Sequence, residues 1–176
     1  MNSTLRRMLA GAVALAALAV TPAPVAAQEA ASAVASVNDW TIFVDSAKKE
    51  CWGVSKPKET VNTKDGKPVS VRRGDIMLFV TFRSGKSGEI AFTGGYPFAP
   101  GSTVSVDVDG KTFEMFTDGE WAWTGSPEDD AKLIAVLKAG SKAVLTARSG
   151  RGTQTKDTFS LMGFTAAMED AAKRCK

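Results

Sequence analysis

Two cysteines, Cys51 and Cys175, stand near opposite ends of the folding part of this chain, and no histidine occurs among its 176 residues. A bond between them would staple the start of the fold to its end. Whether they can bond depends on where the chain goes. Arg6 and Arg7, an apolar stretch over residues 8–20 and the small-residue site Val25-Ala26-Ala27 read as a secretory signal over residues 1–27. The stretch is only about 13 residues long, against the roughly 20 that a spanning helix needs, so no membrane span is expected after signal cleavage. No cysteine follows the cleavage site to carry a lipid. Export leads to the periplasm, with outer-membrane association or secretion as further destinations. There disulfides persist, and an even pair of cysteines is expected to form one bridge, Cys51–Cys175. Closing a loop of about 124 residues constrains the unfolded chain by roughly 5 kcal/mol on the chain-entropy account.

Loss of the signal removes two arginines, which lowers the formal charge from +3 to about +1. No basic stripe remains to track phosphates, so nucleic acid is not an expected partner. The mature chain of about 149 residues makes one domain with a core of its own. Residues 28–38, rich in Ala and Ser, are expected to be a mobile leader, and residues 39–176 the domain.

Within the domain most signals are for strands. Residues 40–44 and 51–55 are short strands, residues 60–68 a polar loop around Asp65-Gly66, and residues 76–82 an apolar strand covered on both faces. Asp109-Gly110 and Asp118-Gly119 each suit a two-residue hairpin turn. Counting outward pairs Val106 with Phe113 and Val104 with Met115, then Phe116 with Trp121 and Glu114 with Trp123. Ser126-Pro127-Glu128-Asp129 predicts a helix start, Gly140 its stop, and Leu133, Ile134 and Leu137 an apolar stripe expected to lie over Trp121 and Trp123. A hairpin around residues 149–152 precedes a last helix over residues 163–174 that carries Phe164, Ala167, Met168, Ala171 and Cys175 on one side. The fold class is therefore mainly β: an antiparallel β-sandwich or barrel-like sheet, with a helix near 127–139 and a C-terminal helix.

Chemistry is restricted by what the chain lacks. Without histidine there is no Ser-His-Asp or Cys-His arrangement, and two cysteines cannot build a four-thiolate metal site. Ser46-Ala47-Lys48-Lys49 matches S-x-x-K without the companion motifs, and Gly85-Lys86-Ser87 lacks the first glycine of a phosphate loop. Asp107 with Asp109, and Glu128, Asp129 and Asp130, lack the further ligands of a calcium loop. Arg73-Gly74-Asp75 spells an adhesion tripeptide but also suits the start of a strand. Trp121 and Trp123 could offer a sugar-stacking platform, although core packing is the plainer reading, and Glu114 beside Trp123 is the pair to inspect for glycoside chemistry. No catalytic residue, metal or cofactor is expected.

Gly95-Tyr96-Pro97-Phe98, Gly101-Ser102-x-Val104, Ser149-x-Arg151-Gly152-Thr153-x-Thr155-x-Asp157 and Phe159-Ser160-Leu161-x-Gly163-Phe164, followed by Cys175, together resemble the invasion-associated locus B proteins of bacteria. Phe159 stands where Tyr is common. The resemblance runs from about Trp40 to the end. It implies an exported envelope protein of mainly β structure, some of whose relatives are tied to invasion of host cells, and it supplies no reaction. The expected role is non-enzymatic binding or accessory work in the envelope, toward an envelope or host-surface protein. The alternatives are a periplasmic enzyme such as a cell-wall glycoside hydrolase, or a structural or stress-related envelope protein. Candidate contact residues are Arg151, Gly152 and Thr153 on one loop and Tyr96, Pro97 and Phe98 on another. Arg151 is expected either to meet a partner at a projecting hairpin tip or to pair with an acid such as Asp157.

Overall fold

The computed structural model describes residues 31–176. The expected export signal and its cleavage site lie outside the described residues. In chain order the strands are β1 (Ser32–Val37), β2 (Trp40–Asp45), β3 (Glu50–Ser55), β4 (Glu59–Lys64), β5 (Lys67–Pro68), β6 (Met77–Arg83), β7 (Glu89–Thr93), β8 (Thr103–Val108), β9 (Lys111–Asp118), β10 (Trp121–Trp123), β11 (Lys142–Arg148) and β12 (Gln154–Ser160). Helix α1 (Pro127–Ala139) lies between β10 and β11, and α2 (Phe164–Arg174) follows β12. All strands join one antiparallel sheet in the order β1-β2-β3-β6-β7-β10-β9-β8-β11-β12-β4-β5. The sheet curls without closing: Phe92 on β7 meets Phe159 on β12 edge to face, 6.1 Å between ring centroids, although four strands separate them in the order. Of the two expected architectures, the barrel-like one is present.

Turn chemistry sets the hairpins. Asp109 (φ 48°) and Gly110 (φ 91°) form the expected two-residue turn, and Val106 pairs with Phe113 and Val104 with Met115. The next turn differs. Only Gly119 takes positive φ, the loop is Gly119-Glu120, and Trp121 pairs with Asp118 and Trp123 with Phe116. The register is two residues from that expected, which keeps every side chain on its expected face but puts Phe116, not Glu114, opposite Trp123.

Three segments depart from expectation. Residues 32–37, placed in a mobile leader, form β1 and pair with β2 through a bulge; small Ala and Ser side chains hide an edge strand from pattern reading. Residues 60–68 are not a loop but the β4/β5 hairpin, turning on Asp65 (φ 50°) and Gly66 (φ 74°) and pairing with β12. Their polarity suits the sheet's end, where both faces meet water. In β6, Leu78 and Val80 are buried whereas Met77, Phe79 and Thr81 are only half-buried, so one face is in the core and the other lies outside.

The inner face carries the core, with Trp40, Ile42, Phe92, Met115, Leu145 and Phe159 fully enclosed. Ser126 caps α1 by accepting from the Asp129 N–H. Leu133 and Leu137 are buried, but on the side of β7 and α2, where Asp130 accepts a hydrogen bond from the Ile90 N–H at 2.8 Å. The helix does not cover Trp121 and Trp123. Ala122 is the residue of β10 that points into the core. Helix α2 packs on β1, β2, β3 and β6 through Phe164, Ala167, Met168 and Ala171, all buried. Gly53 on β3 makes that approach possible, since a Cβ there would collide with Met168. The helix ends at the expected bond: Cys51 and Cys175 are joined, with Cα atoms 5.7 Å apart.

Candidate functional site

Where the curled sheet brings β12 near the start of β6, an inward-facing acid needs a partner. Asp157 lies on the same side of β12 as Thr155 and Phe159, and its side chain is 0% exposed. Ionised carboxylates at such positions survive only with a hydrogen-bonded cation. Arg73 supplies it. Its Nη1 and Nη2 donate to Oδ1 and Oδ2 of Asp157 at 2.7 and 2.6 Å, its Nε donates to the Gly94 carbonyl at 2.9 Å, and Nη1 also reaches Asn62 Oδ1 at 3.3 Å. Burial pushes the Asp157 carboxyl above its ordinary value, and the Arg73 guanidinium opposes that shift.

The arginine is held from above as well. Tyr96 lays its ring over the guanidinium, 5.0 Å from Cζ to the centroid, and its hydroxyl hydrogen-bonds Thr155 Oγ1. Burial pushes the Tyr96 phenol up. The backbones that carry Arg73 and Tyr96 touch: the Gly74 N–H donates to the Gly95 carbonyl at 2.8 Å, and a Cβ on Gly95 (φ 71°) would lie 2.6 Å from the Gly74 carbonyl oxygen. Glycine at 95 is required twice over, by its backbone angle and by this approach.

Above this floor sits a cavity of about 570 Å³, lined among others by Arg72, Tyr96, Pro97, Glu120, Arg151 and Thr155. Its rim is tied down. The Gly150 N–H donates to the Pro97 carbonyl, the Ala99 N–H to the Arg148 carbonyl, and Ser149 Oγ accepts from the Thr153 N–H. The 149–152 loop is therefore laced to the 97–99 segment rather than a free tip.

The structure thus gathers Arg151, Thr153, Tyr96 and Pro97, residues more than 50 positions apart in sequence, around one hollow. Arg151 and Pro97 are exposed. Phe98 is not a contact residue: it is 6% exposed and packs against Phe92 and Tyr96. Thr153, a candidate contact residue, is buried at 7% exposure, as are Thr155 and Asp157 beneath it, where Tyr96 and Arg73 engage them. Gly152 supplies the loop's positive φ of 81°. Arg151 does not pair with Asp157, whose two oxygens Arg73 occupies.

Sequence reading missed Arg73 as a site residue. The adhesion tripeptide it opens is closed to any partner at its arginine, whose side chain is 6% exposed. A charged residue on the inward side of a strand was the available signal, but it could not say which of many cations answers it. Four of the five acids considered for calcium are engaged internally: Asp107 accepts from the Gly110 N–H, Asp109 from the Ser141 N–H and hydroxyl, Asp129 from the Ser126 hydroxyl, and Asp130 from the Ile90 N–H and the Thr124 hydroxyl.

No curated protein matches the chain. Among solved structures, the fold is similar to the crystal structure of invasion associated protein B from Bartonella henselae, with a TM-score of 0.56 and 17% identity over 81% of this chain and 97% of that one. The family model described as Invasion associated locus B (IalB) protein matches residues 40–172, from the first core tryptophan into the last helix. By that match, which spans both sides of the Arg73–Asp157 floor and the rim above it, the chain belongs to the invasion associated locus B family.

Proposed function

We propose that this is an exported, non-enzymatic binding or accessory protein of the bacterial envelope, whose contact site is the hollow between Arg72, Tyr96, Pro97 and Arg151. The observation that supports this is the division of labour among its charges. Asp157 and Arg73 neutralise each other in the floor, and the Tyr96 hydroxyl is taken by Thr155, so these groups build a surface instead of moving protons. Arg72 and Arg151, by contrast, are exposed and have no hydrogen-bond or ion-pair partner among the described residues; Glu120 is the only acid lining the hollow. Two free guanidiniums against one carboxylate favour an acidic partner surface, and arginine suits bidentate capture of its carboxylates. No helix among the described residues is long and apolar enough to cross a membrane. Export, read from the sequence, and a part in invasion, the word in the relative's name, belong to the same proposal.

The test compares the mature wild-type protein with Arg151→Ala for thermal stability and for recovery of partners from envelope extract. The expected result is an unchanged melting temperature with partner recovery lost and with wild-type recovery falling as salt rises. Unaltered recovery, or a melting temperature that drops with it, would leave Arg151 a structural residue and overturn this reading.

A further inference from the structure

We propose a second binding site, on the outer face of the sheet, for a neutral β-linked glycan strand built on N-acetylhexosamine. It shares no aromatic or charged residue with the hollow around Arg151. Helix α1 packs against β7 and α2, and α2 against β1, β2, β3 and β6 through buried side chains, so among the described residues no helix covers the outward rows of β6, β10 and β9, where only Gly125 comes close to the Phe116 ring. One row runs from Thr103 through Phe116, Trp123, Ala91 and Phe79 to Val54 across consecutive strands. Trp121 stands beside it, its ring 6.4 Å from that of Trp123 with planes only 23° apart, and 5.6 Å from Phe79. Phe116 is 63% exposed and Trp121 39%. Large aromatic rings left in water on a sheet face mark a binding surface more often than chance exposure does.

The same face then changes character. Next to Phe116 opens a groove of about 500 Å³ whose lining includes Thr103, Ser105, Glu114, Thr146, Arg148 and Gln154. Register makes the two parts continuous, since Thr103 is the cross-strand neighbour of Phe116 and Ser105 that of Glu114 and Thr146. From β10 to β11 is three strand spacings, about 14 Å, which is room for several sugar rings and too long for one. A pyranose has an apolar C–H face and a hydroxyl rim. The flat indoles fit the first and the hydroxyl, amide and charged groups of the groove fit the second.

Charge selects among occupants. The Glu114 and Asp65 carboxylates and the Arg148 guanidinium are exposed and without partner among the described residues, and two acids against one base leave the groove short of the positive charge that an anionic occupant needs. Asp118, cross-strand from Trp121, adds a further exposed acid at the aromatic end. A nucleic acid would stack on the rings but needs a basic track for its phosphates, and anionic lipid would meet the same acids. Glu114, acceptor-only when ionised, suits the amide N–H of an acetamido sugar two residues along β9 from the stacking ring.

The experiment titrates the mature protein with the N-acetylglucosamine tetramer, reading heat and tryptophan fluorescence, with the β-1,4-linked glucose tetramer and heparin as parallel arms. Saturable binding of the acetamido tetramer with a blue-shifted indole emission is expected, weakened by about tenfold or more in Trp121→Ala and in Phe116→Ala, and by less in Glu114→Gln. Circular dichroism and melting temperature identify any variant that loses binding by losing its fold; Glu114→Gln, on an exposed side chain, keeps the test open in that case. Absence of saturable binding, tighter binding of the glucose tetramer or of heparin, or affinity unchanged in all three variants would overturn the proposal.

Discussion

The floor and the rim of the hollow are both built on arginine, yet the two arginines do opposite things. The Arg73 side chain is 6% exposed and uses its guanidinium on Asp157, Asn62 and the Gly94 carbonyl, beneath the Tyr96 ring. Arg151 is exposed with no partner among the described residues. Arg151 belongs to the motif series and Arg73 does not, yet the motif residues Asp157 and Tyr96 are spent on Arg73, so motif membership alone does not separate a structural group from one free to bind. Enclosure does: a buried guanidinium must be satisfied within the fold, whereas an exposed one is satisfied by water until something replaces it.

Removing the floor should have the largest effect. Arg73→Ala leaves Asp157 buried without its cation, a loss of roughly 3–5 kcal/mol. Urea unfolding of the mature protein would read it as a lower midpoint, and a change below about 1 kcal/mol would show that the pair adds nothing net. Next comes the bridge at the far end. Cys175→Ser should cost about 2–5 kcal/mol through the 124-residue loop it opens. Because Cys175 touches neither floor nor rim, this variant shows whether partner recovery survives destabilisation as such; recovery lost equally in Cys175→Ser and Arg151→Ala would erase the distinction drawn here.

A smaller effect separates two kinds of buried acid. Asp130 is 6% exposed and has hydrogen bonds but no cation, and burial raises its carboxyl above the ordinary 3.8. The folded protein therefore holds its proton more tightly than the unfolded chain. The contribution of Asp130 is complete below pH 3.8 and is lost as pH rises through the raised folded value. The melting temperature of wild type minus that of Asp130→Asn should accordingly fall with rising pH across that window. A difference that grows with pH would mean that the Ile90 and Thr124 hydrogen bonds outweigh burial. Smallest of all, Arg151→Ala should shift stability by no more than about 0.5 kcal/mol, since its side chain contacts water.

Much of the fold was legible in the residues. The Asp109-Gly110 turn, the α1 start at Ser126 and the buried side of α2 follow from local rules, each involving residues within a few positions of one another. The 118–121 turn shows where such rules stop. Asp118-Gly119 and Gly119-Glu120 both suit a hairpin, and pairing with β7 on the other side of β10 accompanies the second. Edge strands were least visible: β1 and the β4/β5 hairpin are polar or small on both faces, so no alternation marks them.

By itself the sequence determined the bridge between its two cysteines, the alternation of β8 and β9, the caps of α1 and the membership of Trp121 and Trp123 in one face with Ala122 on the other. Only the tertiary structure decided which of those faces turned inward. Alternation has two solutions related by a flip, and the choice rests on where α1 finds its cover, against β7 and α2 instead of the indoles. The tertiary structure likewise chose Arg73 over Arg151 as the partner of Asp157, from opposite ends of the chain's contact range. That choice follows from enclosure by Tyr96 and by Gly74 packed on Gly95, contacts that exist only once the sheet has curled.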